Sequence, residues 1–118
     1  MKLATCLYEG KERVGALTAE GAALLPYADM NTLIETASLA ELEAALPGTL
    51  AVPLAEVTLL APIPRPRQDV ICLGMNYRDH EKEAAKYDAD AFAQDKPAAV
   101  YFSKRVSRAG DPDGVIPR

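Results

Sequence analysis

His80 is the single histidine of this 118-residue chain, and Glu83 stands three positions after it. In a helix, residues three apart share a face. A carboxylate beside an imidazole holds the ring in one tautomer and raises its basicity. The pair then makes a general base able to activate water or move a proton. The same spacing also describes an exposed helix with ordinary charge pairs, and spacing alone does not choose between them. A lone histidine excludes any site that needs several imidazoles from one chain. Lys104 follows the apolar run Ala-Ala-Val-Tyr-Phe at 98–102, with Arg105 and Arg108 close behind. Cations grouped after a strand can receive an anionic substrate or stabilise an oxyanion. A solvated basic turn is the plainer alternative.

These residues need elements to position them. Asp69–Leu73 is a short apolar run ending at Gly74, which reads as a buried strand with a tight exit. Asn76 is a good helix N-cap, and Asp79 sits where the helix dipole favours negative charge. The pattern predicts a short polar helix over 77–86, a loop or frayed helix over 88–95, and a second strand over Ala98–Phe102. Ser103–Arg108 is basic, and the stretch to Pro117 is turn-rich. Tyr77 and Tyr101 read equally well as half-buried aromatics.

Upstream, Pro62, Pro64 and Pro66 alternate within Ala-Pro-Ile-Pro-Arg-Pro-Arg-Gln at 61–68. Alternating prolines remove amide donors and favour extended backbone, so this run reads as a stiff connector between two units. Charge divides at the same place: 3 basic and 8 acidic residues lie in 1–60, against 10 basic and 9 acidic in 61–118. The first unit reads β-β-α-β. Lys2–Tyr8 and Arg13–Leu17 form a hairpin across Glu9-Gly10-Lys11. Asn31 or Thr32 caps a helix carrying Leu33, Ile34 and Ala37 on one face. Ser38 and Glu41 make a capping box before Leu39, Leu42, Ala45 and Leu46, Pro47-Gly48 stops that helix, and Val57–Leu60 is a strand. The acidic residues of this unit read as a solvated face.

Composition sets the class. Hydrophobic residues are 49%, charged residues 25%, and the net charge is −4. This is ordinary globular composition, and its mild acidity gives no support for nucleic-acid binding. No signal-peptide pattern or membrane-length apolar run is legible. Cys6 and Cys72 form no CxxC pattern, and a reduced, cytoplasmic protein is the simpler reading. The expected fold class is α+β: a small sheet with one or two helices in 1–60, the connector at 61–68, then strands and a helix in 69–118. The latter stretch is expected to be loosely structured, because little of its apolar surface finds partners.

Leu59 to Arg118 resembles the fumarylacetoacetate hydrolase family. The resemblance is carried by an apolar strand, Gly-x-Asn-Tyr-x-x-His-x-x-Glu beginning at Gly74, and a second strand ending in Phe102-Ser103-Lys104. Met1–Thr58 resembles the small domain that precedes the catalytic domain in many bacterial members. The resemblance implies an enzyme of small keto acids, acting by carbon–carbon bond hydrolysis, decarboxylation or isomerisation of β-diketo acids, acylpyruvates or hydroxymuconate-type acids. It implies Mg²⁺ or Mn²⁺ in the complete family enzyme, and a homo-oligomer. It implies that His80 and Glu83 are the base pair of a lid helix, that Lys104 binds substrate or stabilises charge, and that Gly74, Asn76 and Tyr77 shape the site entrance. The family's metal carboxylates, a Glu-x-Glu pair and a later aspartate, lie beyond the last strand matched here. Asp111 and Asp113 are not assigned to metal, and the chain by itself is expected to bind none and to be inactive. The alternative is a non-catalytic domain that serves packing or oligomerisation.

Overall fold

Glu9 and Gly10 both take positive φ, 49° and 73°. Two consecutive residues of that kind make the turn whose twist matches an antiparallel hairpin. They join β1 (Lys2–Tyr8) to β2 (Lys11–Leu17) in a register running from Tyr8 opposite Lys11 to Lys2 opposite Leu17. The computed structural model describes residues 1–74, 78–87 and 99–116. Its class is α+β.

The hairpin is the middle of a five-stranded antiparallel sheet. β3 (Ala22–Leu25) adds to β2, β4 (Ala51–Val52) adds to β3, and β5 (Thr58–Leu59) adds to the free side of β1. β3 and β4 are not legible in the sequence: Ala-Ala-Leu-Leu has weak β preference, and pairing with β2 overrides it. Gly21, just before β3, has φ 143°, and a Cβ there would overlap the Val52 carbonyl of β4. Only glycine permits this approach.

Two short helices cover one face of the sheet. α1 spans Met30–Thr36 and α2 spans Leu39–Ala45. The cap of α1 is Asp29, not Asn31 or Thr32: its Oδ1 accepts from the Thr32 amide at 2.7 Å. The helix therefore begins earlier than expected. Met30 and Leu33 enter the core, and Ile34 is left 58% exposed. Leu33 and Ile34 are neighbours about 100° apart around the axis, and the helix is turned so that Leu33 faces the sheet. At α2 the capping box forms as expected. The Glu41 amide donates to Ser38 Oγ, and the Glu41 carboxylate accepts from the Ser38 amide. Of its expected apolar face only Leu42 is buried; Leu39 is 60% exposed. The core joins Val14, Ala16, Leu25, Met30, Leu33 and Leu42, with Ile63 packed against it.

Ile63 belongs to the proline-rich run, which is docked on this unit. Prolines lack N–H groups, so the run's carbonyls are what need partners. Thr5 Oγ1 donates to the Pro62 carbonyl at 2.7 Å, Ala109 N–H to that of Pro64 at 2.8 Å, and Asn31 Nδ2 to that of Arg65 at 3.0 Å. The Ala61 amide donates to Asp111 Oδ1. The compact units accordingly divide as Met1–Arg67 with Ser107–Arg118, and Gln68–Val106. Residues 61–67 pack into the first unit because their side chains and carbonyls find partners there.

The acidic residues of the first unit are not merely solvated. Glu12 accepts from Arg65 Nη1 at 2.8 Å and from Arg108 Nη1 at 3.1 Å, and Glu35 accepts from Arg67. Hydrogen bonds from Arg65, then Arg108, hold the Glu12 carboxyl below its ordinary value. A carboxyl held down by folding adds stability above its unfolded pKa, about 4.3 for glutamate, and that stability is lost as pH falls through the lower folded value.

Two predictions follow from this packing. Leu33→Ala costs about 2–5 kcal/mol in a denaturant melt, whereas Ile34→Ala stays within about 0.5 kcal/mol; equal losses would refute the helix orientation. Glu12→Gln lowers the melting temperature at pH 7, and the gap from wild type closes as the pH falls below about 4. A gap that persists unchanged into strong acid removes the linkage.

Candidate active site

The second unit, Gln68–Val106, holds the residues singled out for chemistry. β6 (Val70–Gly74) pairs antiparallel with β7 (Val100–Lys104) as a two-stranded ribbon. Both strands lie close to where the apolar runs place them, and Ser103 and Lys104 are part of β7. Valine, isoleucine, tyrosine and phenylalanine suit a pleated strand, and the Phe102–Cys72 and Tyr101–Leu73 cross-pairs stack apolar groups.

The register decides which candidates share a face. Gly74 lies opposite Val100, and Lys104 lies opposite Val70. Side chains alternate between faces along a strand. Lys104, Phe102, Cys72 and Gly74 therefore share one face, and Ile71, Leu73, Tyr101 and Ser103 share the other. Lys104 and Gly74 stand at opposite ends of the ribbon, four residues apart, or roughly 13 Å at about 3.3 Å per residue. Lys104 is exposed, as are Ile71 (74%), Tyr101 (68%) and Phe102 (52%).

α3 spans Arg78–Tyr87, against an expected helix over 77–86, and places positions 80 and 83 on one face. Glu83 is exposed, and Lys82 pairs with Asp79 at 3.1 Å on the open surface. Asn76, Tyr77, the 88–95 stretch and the His80 side chain lie outside the described residues. Of the cations expected near Lys104, Arg108 belongs to the first unit. There it contacts Glu12 and, at 3.5 Å, Asp111, so its charge serves the fold.

Among the described residues no three His, Cys, Asp or Glu side chains come together to hold a metal ion. The described residues do not by themselves fit a divalent-metal centre. No described helix is long and apolar enough to cross a membrane.

A stretch of 36 residues is 53% identical to oxaloacetate tautomerase YisK of Bacillus subtilis (strain 168). It covers 30% of this chain and 12% of that protein's length. No protein-family model matches the chain. No solved structure matches it either.

The ribbon register is directly testable. In a background with Cys6 and Cys72 changed to serine, Val70→Cys with Lys104→Cys closes a disulfide on mild oxidation, because directly opposed residues lie within bridging distance. Gly74→Cys with Lys104→Cys does not. The reverse result would overturn the pairing.

Proposed function

We propose that this chain contributes part of the active site of a fumarylacetoacetate hydrolase family enzyme acting on a small keto acid. The 36-residue similarity to an oxaloacetate tautomerase carries the reading, and the strand–helix–strand order that sets Gly74, His80–Glu83 and Lys104 in sequence supports it. Keto–enol interconversion of such an acid needs a base to take a proton from carbon and a donor or cation to steady charge on the carbonyl oxygen. In this reading His80 is the base and Glu83 orients its ring. Lys104 receives the acid's negative charge, and Gly74, Asn76 and Tyr77 line the entrance. Hydrolysis and decarboxylation of related acids use the same parts, with the base acting on water or the cation steadying an enolate. A divalent ion such as Mg²⁺ or Mn²⁺ would supply carbonyl polarisation in such an enzyme. The assembly is a homo-oligomer in the cytoplasm that engages neither nucleic acid nor membrane.

In this proposal the chain alone is inactive. A second reading has the chain serve packing or oligomerisation, and the exposed apolar faces of the ribbon favour it.

The test has two arms. The 118-residue chain with Mg²⁺ or Mn²⁺ leaves oxaloacetate tautomerisation and acylpyruvate hydrolysis at the buffer rate; robust turnover refutes its inactivity. In an active longer polypeptide containing this chain and a downstream Glu-x-Glu, His80→Ala lowers kcat on the order of 100-fold or more. Unchanged turnover there removes the base and leaves the packing role.

A further inference from the structure

The first unit carries a pocket between β2, the start of α1 and the proline-rich run, well separated in sequence from the candidate catalytic residues. Its volume is about 220 Å³. That is below the roughly 300–1,000 Å³ of pockets for drug-sized ligands, so it suits a small occupant. Its floor is apolar: Val14, Met30 and Pro64 line it and are buried. Arg65 and Arg67 stand at its rim. They lie two apart in the proline-rich run, and both line the pocket while Pro66 between them does not.

Each guanidinium group is held by a carboxylate, Arg65 by the lining residue Glu12 and Arg67 by Glu35, which does not line the pocket. Arg65 donates to Glu12 and Arg67 to Glu35, each through Nη1. Among the described residues, the Nη2 and Nε donors of both make no hydrogen bond. An arginine so anchored keeps its planar fork oriented and loses little freedom on taking a carboxylate in two-point contact. The pocket's own carboxylates are already engaged: Glu12 by Arg65 and Arg108, Asp29 by the Thr32 amide. Arg13 also lines the pocket.

We infer that this pocket binds a small organic carboxylate, with the acid group on Arg65 and Arg67 and the carbon body against Val14 and Met30. The apolar floor separates such a ligand from an inorganic anion, and the paired guanidinium groups separate it from a neutral molecule. The site rests on residues of the first unit alone and stands whether or not the catalytic reading does.

The full chain, labelled with ¹⁵N, is titrated with sodium butyrate at constant ionic strength while the Val14, Met30 and Asn31 amides are followed. Saturable shifts are expected, and Arg67→Gln weakens them by about tenfold, the loss of one charge-assisted contact. Butyramide and inorganic phosphate bind markedly more weakly than butyrate. The assignment is overturned by non-saturating shifts, by equal binding of butyramide or phosphate, or by an Arg67→Gln chain that is folded and binds as wild type. The three-probe comparison on the unaltered chain decides the matter even if the variant does not fold.

Discussion

Between Ala61 and Arg67 every second residue is a proline, so the backbone there offers acceptors with few donors of its own. Such a segment cannot satisfy itself as helix or sheet, and once covered it must borrow donors. Here they come from three separate places: a threonine hydroxyl on β1, an asparagine amide on α1 and the backbone of the returning segment at Ala109. That requirement ties the sheet, the helices and residues 107–114 into one unit. With the carbonyls bound, Ile63 reaches the core, Pro64 is covered, and the arginines emerge at the surface.

Charge follows the same geometry. The acidic first sixty residues and the more basic remainder look like separate blocks along the chain. In the fold, Glu12 meets Arg65 and Arg108, and Glu35 meets Arg67. Exposed pairs of this kind add little stability individually. Their effect is orientational: they hold long side chains in place beside the pocket and clip the returning segment to β2.

The second unit is built on different terms. Among the described residues the two-stranded ribbon has little apolar burial to stabilise it, and Ile71, Tyr101 and Phe102 stay exposed. Its contribution is register. Placing Lys104 on the face of Gly74, but at the other end of the ribbon, separates the cation from the strand exit that leads to α3.

Much of the local structure was legible because it depends on near neighbours. The Glu9-Gly10 turn, the Ser38–Glu41 capping box, the strand to Gly74 and a helix spanning 80 and 83 all follow from residue types at short spacing. The existence of β3 and β4, the burial of Leu33 over Ile34, the docking of the proline-rich run and the Arg65–Arg67 pocket were not. Each depends on what lies opposite across tens of residues, and a weak strand former or a flanking arginine carries no mark of its eventual partner. An extended proline run and a chain of short elements are local conformational preferences, already decided by φ restriction and capping. Which carbonyl meets which donor, and which charge meets which, is decided only when the sheet closes and brings distant segments within hydrogen-bond reach.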